Sequence, residues 1–309
     1  MQVNPLKPFG VKLSNFVVGS ATEDDLRSFV AAFRQHSLVL IHDPNLTPEE
    51  QVELIGRLGT VATEVEGSDK VGHVTHDPTI PNGPDFGKGE LIFHFDLCAT
   101  DDWPYEILSL YGEVVTDIGG ETKFAHGGQG YARLSEATKE LVKEYRAVHI
   151  SDPYAPPTTC RPTEAMMGTF AERGVHNVVR KHPYIDQDVL TVSYATTDRI
   201  VGMPRVEGEK LISEMFDALY SQGAVYVHTW HKGDLLVWDN RVVQHARNDF
   251  DRAKPRSLRR VVIGNAASIQ ARYQRWFEQI PRKEDFVAEY RSGRVLFPGD
   301  QGVWYGMRR

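Results

Sequence analysis

Val225-Tyr-Val-His-Thr-Trp-His-Lys-Gly-Asp-Leu-Leu-Val-Trp-Asp239 reads as two strands joined at a glycine turn, and Asn240-Arg-Val-Val-Gln-His245 continues toward a third. β-Branched and aromatic residues fill both arms, and Gly233 punctuates them. The pattern repeats outward in both directions. Downstream, Ser257-Leu-Arg-Arg-Val-Val-Ile-Gly264 is strand-like; upstream, Glu106 to Val115 leads into Gly119-Gly-Glu-Thr122-Lys-Phe124, where two glycines turn the backbone into a short strand. Val11 to Val18, Ser37 to His42, Leu91 to Leu97, Val178 to His182 and Val189 to Tyr194 add further strands. Many short strands and few helices on one contiguous chain predict a mainly β protein with flanking helices, built on a double-sheet jelly-roll core.

The helices announce themselves by their caps. Thr22 precedes Glu23, Asp24 and Asp25, with Leu26, Phe29, Val30 and Phe33 on one face. Thr47-Pro-Glu-Glu50 combines an N-cap, a proline at the first helical position and a capping-box glutamate, and this helix is expected to stop at Gly59. Ser135 opens another helix, and Glu207 to Leu219 is amphipathic. Residues from about 60 to 89 and from 151 to 174 are rich in Gly, Pro and polar residues and are read as long loops. An aromatic tail runs from about Ser268, and the whole chain, 1–309, is expected to form a single domain.

A net charge of -7, from 35 Lys+Arg against 42 Asp+Glu, offers no basic footprint for nucleic acid or an anionic membrane. No stretch reaches the roughly 18 apolar residues of a membrane span, and the opening Met-Gln-Val-Asn-Pro lacks the marks of a signal peptide. A cytoplasmic location is therefore expected. Cys98 and Cys160 are too few for a disulfide framework, and Cys98 is read as a small buried hydrophobe.

Leu91-Ile-Phe-His94-Phe-Asp96-Leu97 carries the chemistry. On a strand, residues two apart face one side, so His94 and Asp96 would point together. A neutral imidazole and a carboxylate aimed at one point suit a divalent metal, and a second histidine would complete the 2-His-1-carboxylate triad of non-haem Fe(II), which leaves three positions open. There are 12 histidines to choose from. His245 stands out because it follows the Trp238-Asp-Asn-Arg241 turn and precedes a strand bearing Arg256, Arg259 and Arg260. A guanidinium fork beside such a centre suits a carboxylate, which points to an acidic co-substrate. Arg259 lies out of phase with Arg256 and Arg260 and should face away.

His94-Phe-Asp96, Gly119-Gly-Glu-Thr122, Gly233-Asp-Leu-Leu-Val-Trp-Asp-Asn-Arg241 ending at His245, and Arg256 to Gly264 together resemble the taurine/2,4-D dioxygenase family of Fe(II)- and 2-oxoglutarate-dependent oxygenases. The likeness runs in order from about Val11 to Gly264. It implies a double-stranded β-helix core, with His94, Asp96 and His245 as iron ligands. Thr122 and Arg256 would then hold the distal carboxylate of 2-oxoglutarate, and Arg260 would serve a substrate anion or brace the iron site. It further implies that O2 is consumed, that succinate and CO2 are released, and that a C–H bond of a small-molecule substrate, an amino acid or other small acid for example, is oxidised. Hydroxylation is the default outcome, with desaturation and other oxidative tailoring also open. Asp96 argues against halogenation, which needs a small residue there.

Taurine-oxidising members carry a histidine in the region of Gly59 to Val65, where this chain has none, so a substrate other than taurine is implied. Glu90 either faces the substrate, favouring an amine, or is solvated. Trp230 and Trp238 are read as wall aromatics, and His228 and His231, three apart, as lying on opposite strand faces. A zinc-dependent hydrolase with the same ligands and a non-catalytic small-molecule-binding jelly roll are the rival readings. Oligomeric state is left open.

Overall fold

The computed structural model describes residues 1–64, 69–76, 90–151, 161, 163–164, 171–251 and 254–279. The chain runs through β1 (Gln2–Pro5), β2 (Val11–Ser14), α1 (Glu23–His36), β3 (Leu38–His42), α2 (Pro48–Gly56) and β4 (Gly72–His76). β5 (Leu91–His94), β6 (Tyr105–Val114), β7 (Thr122–His126), α3 (Gly127–Arg133), α4 (Glu136–Lys143) and β8 (Arg146–Ser151) follow. Next come β9 (Glu172–Asn177), β10 (Val179–Lys181), β11 (Asp188–Leu190), β12 (Thr197–Ile200) and α5 (Arg205–Tyr220). The final elements are β13 (Val225–His228), β14 (Asp234–Asp239), β15 (Val243–Arg247), β16 (Arg256–Gly264) and α6 (Ala266–Gln279).

Two sheets make the jelly roll. The larger has seven strands in the order β1-β2-β3-β14-β6-β16-β4, and the smaller has four in the order β13-β7-β15-β5. Alternation along each strand decides what packs where. Leu38, Leu40, Leu108, Leu110, Leu236, Trp238, Leu258 and Val262 of the large sheet meet Phe124 and Val243 of the small one. Phe124 and Trp238 touch edge-to-face at 5.3 Å across the gap. The intervening residues, Val39, Ile41, Ile107, Tyr111, Leu235, Val237, Val261 and Ile263, point the other way and pack on Phe29 and Phe33 of α1 and Leu54 and Ile55 of α2. A strand covered on both faces reads as a continuous apolar run, which is why β14 lacks polar alternation.

The predicted capping box at Thr47 forms, and Thr22, expected as an N-cap, makes one as well: both side chains accept from the N3 amides, and Asp25 and Glu50 reach back. The second helix ends at Gly56 rather than Gly59. Within the expected 60–89 loop, Gly72–His76 forms β4 and pairs antiparallel with β16. Of the 151–174 excursion, Ser151 closes β8 and Glu172 opens β9; most of the rest, like the tail beyond Gln279, lies outside the described residues. β1, α3, β8 and β12 had no clear sequence signal. Among the described residues no helix is long and apolar enough to cross a membrane.

Candidate metal centre

β5 and β15 pair antiparallel with His94 directly opposite His245, which sets the two imidazoles 4.2 Å apart. His94 Nε2 lies 3.3 Å and His245 Nε2 3.7 Å from Asp96 Oδ1. One donor atom from each residue falls within 4.8 Å of the others, and among the described residues this is the one group of three with metal-ligand character. The donor set itself fits a divalent metal. Two ligands about 2.1 Å from a common ion and at right angles stand roughly 3 Å apart, close to the observed spacing.

Protonation is arranged for ligation. His94 Nδ1 lies 2.8 Å from the Ile92 carbonyl, which can only accept, so Nδ1 carries the proton and Nε2 offers its lone pair. Burial, reinforced by the neighbouring His94, pushes the His245 pKa down to about 3 and keeps this imidazole neutral. Burial also pushes the Asp96 carboxyl up, but Arg260 and the two imidazoles outweigh it and hold the group well below the usual carboxylate range.

Asp96 is not on a strand. β5 stops at His94, and Leu97 adopts a left-handed φ of 55°, so the alternation argument for a shared face does not place this carboxylate. Asn240 does. Its Oδ1 accepts from the Asp96 amide at 2.9 Å, and its Nδ2 donates to the Asp96 carbonyl at 2.9 Å and to the Tyr105 carbonyl at 3.2 Å. Arg260 then donates to Asp96 Oδ2 at 2.9 Å, leaving Oδ1 toward the histidines. Trp238 packs its ring 5.0 Å from that of His245.

Thr122 and Arg256 are both buried near the start of β7. Trp230 Nε1 donates to Thr122 Oγ1 at 2.9 Å, and since the indole can only donate, the threonine hydrogen is left to donate elsewhere. Arg256 donates to the Gly120 carbonyl at 3.2 Å and stacks over Phe250 at 5.4 Å. Gly120 has φ of 72°, and a Cβ there would lie 3.0 Å from Arg256 Nε, so the Gly-Gly turn serves close approach as well as chain reversal. Burial, with the charge of Arg247 added, pushes Arg256 down to about 9, an environment that an incoming carboxylate would relieve.

Other residues singled out in the sequence fall elsewhere. Arg259 turns outward to Gln51, Glu113 and the Leu46 carbonyl, as its phase requires. Glu90 is half-exposed and paired with Lys123 at 2.5 Å. His228 and His231 do not diverge: β13 ends at His228, the chain turns, and both reach Asp234 Oδ2, at 3.2 and 3.3 Å. Cys98 is buried against Thr196, with its thiol pushed up to about 11 by burial. Trp230 and Asn240 are the residues whose roles sequence reasoning missed. Asn240 had a signal in its position beside the Trp-Asp turn; Trp230 had none.

The family model described as "Taurine catabolism dioxygenase TauD, TfdA family" matches residues 2–262, and the chain belongs to that family. It is therefore a 2-oxoglutarate-dependent dioxygenase that draws on Fe(II), 2-oxoglutarate and O2. The chain is 25% identical over 262 residues to the (S)-phenoxypropionate/alpha-ketoglutarate-dioxygenase of Sphingobium herbicidovorans, covering 81% of this chain and 90% of that one. It is 28% identical over 281 residues to the enzyme of the same name from Delftia acidovorans, covering 82% and 92%. The crystal structure of AAD-2 in complex with Mn(II) and N-oxalylglycine shares the fold, with a TM-score of 0.68, 22% identity and coverage of 85% of this chain and 97% of that one.

Proposed function

We propose that the protein oxidises an unactivated C–H bond of a small organic acid, by hydroxylation in the first instance, with release of succinate and CO2. The observation that carries this reading is the convergence of two imidazoles and one carboxylate on a single point, one donor atom from each within 4.8 Å of the others. In this assignment His94, Asp96 and His245 hold the iron. Bound together, Fe(II), 2-oxoglutarate and O2 supply the oxidising power for C–H cleavage.

The remaining roles belong to the chain's own side chains. Arg260 engages Asp96 Oδ2, which leaves Oδ1 on the side of the two histidines, where it would be available to a metal. The Thr122 hydroxyl, fixed by Trp230, donates to the distal carboxylate of 2-oxoglutarate, and the buried Arg256 guanidinium supplies the opposing charge. Burial of both excludes water and strengthens that pairing. A zinc hydrolase would leave the Thr122–Arg256 pair without a task. Aryloxypropionates are the first substrates to try, because relatives of similar length are named for acting on one. Glu90 is half-exposed and paired with Lys123, which favours the solvated reading over a substrate contact.

Anaerobic Fe(II) with 2-oxoglutarate should give a weak visible charge-transfer band that zinc does not give. A well-loaded protein without that band would overturn the assignment. Succinate formation against aryloxy acids, sulfonates and amino acids then identifies the substrate class.

A further inference from the structure

Glu64 is buried, 6% exposed, and the two residues before it are held in place. The Ala62 amide donates to the Val262 carbonyl at 3.0 Å, and Gln270 of α6 donates to Thr63 Oγ1 at 2.7 Å. Its carboxylate reaches two partners. The Tyr105 hydroxyl donates to Glu64 Oε1, and Arg260 Nη2 lies 3.3 Å from the same oxygen. That guanidinium nitrogen is also the one that donates to Asp96 Oδ2 at 2.9 Å, and the Arg260 guanidinium lies 5.2 Å from the centre of the Tyr105 ring. One nitrogen is thus shared by two buried carboxylates, with an aromatic face as its third boundary.

We propose that Glu64 is a positioning residue of the metal centre, acting through Arg260. A guanidinium offered to Asp96 alone could swing to straddle both carboxylate oxygens, as the planar fork favours. Glu64 draws the shared nitrogen to one side, which restricts Arg260 to Oδ2 and reserves Oδ1 for the ion. It also takes up part of the guanidinium's charge, leaving Asp96 the stronger donor. Tyr105 completes the device: its hydroxyl orients Glu64, while its carbonyl accepts from Asn240, the residue that pins the Asp96 backbone. The outer hydrogen-bond shell of a metal site governs ligand orientation in this way.

This inference rests on the metal-centre reading, and one experiment separates the two. The full chain is titrated with Mn(II) alone, free ion being followed by electron paramagnetic resonance, and thermal melts of the metal-free variants serve as the control for folding. Glu64→Leu should weaken Mn(II) binding about tenfold, the low end of the usual effect of losing such an outer contact. Glu64→Gln, which keeps an acceptor for Tyr105 and Arg260, should recover most of that loss. In an Arg260→Leu background Glu64→Leu should add little, because its route to the metal has gone. Unchanged affinity in Glu64→Leu, or a full further loss in the double variant, would overturn the proposal. Should Glu64→Leu not fold, Tyr105→Phe carries the same test with a smaller expected loss, and unchanged affinity there overturns it equally. Failure of the unaltered chain to bind Mn(II) would instead sink the metal-centre reading.

Discussion

Asn240 holds Asp96 by both of its backbone polar groups, accepting from the amide and donating to the carbonyl at 2.9 Å each. The side chain is wholly buried at the end of β14, so the contact ties the irregular segment after β5 to a central strand of the large sheet. Asn240→Leu would strand an amide and two carbonyls in the interior, each costing about 1–3 kcal/mol when left unpaired. The expected result is a loss of at least about 2 kcal/mol in urea unfolding together with weaker Mn(II) binding. Wild-type metal affinity in a folded Asn240→Leu protein would show that Asp96 is placed by something else.

Trp230 reaches the proposed co-substrate site only through Thr122. Trp230→Phe keeps an aromatic side chain, smaller by the pyrrole ring, and removes the donor, so 2-oxoglutarate should bind a few-fold more weakly, the worth of one neutral hydrogen bond of about 0.5–1.5 kcal/mol. Mn(II) affinity should not change. Titrating the charge-transfer band with 2-oxoglutarate measures the first, and free-ion resonance measures the second.

Asp96→Ala and Arg256→Leu should fail differently. On the proposed assignment Asp96 is the one anionic ligand, so without it the band should vanish at any 2-oxoglutarate concentration. Without Arg256 the three ligands are intact, and the band should return at higher 2-oxoglutarate. A band in Asp96→Ala equal to that of the unaltered chain would contradict the ligand assignment.

Acid stability depends on histidines outside the proposed metal-ligand set. His126 Nδ1 caps α3 by accepting from the Gly128 and Gln129 amides, a role open only to the neutral ring. Burial, then the charges of His182 and Arg133, push its pKa down to about 3, and burial does the same to His149, also to about 3. The unfolded chain, with histidine near 6.5, therefore binds more protons than the folded one between those values. This contribution is intact above pH about 6.5 and is lost as pH falls toward 3, at up to about 1.4 kcal/mol per pH unit for each such group. His126→Asn keeps a cap acceptor that does not titrate, and its unfolding free energy should fall less steeply over that window.

The sequence by itself determined most of the elements, though not β1, β4, α3, β8 or β12, and the class of chemistry. Capping boxes at Thr22 and Thr47 depend on residues three apart, and strands such as β13 and β14 on local apolar runs punctuated at Gly233, so both are legible in order along the chain, although the structure puts β13 and β14 in different sheets. The ordered series of motifs from His94 to Arg260 likewise needed no coordinates. Only the tertiary structure decided how those residues meet. Strand alternation assumed that β5 runs on to Asp96, whereas it stops at His94 and a hydrogen bond from Asn240, more than a hundred residues away, places the carboxylate. Trp230 over Thr122 and Glu64 against Arg260 are contacts of the same kind. Side-chain hydrogen bonds across sheets leave no period in a sequence, because they are fixed by how the sheets stack and where each strand ends.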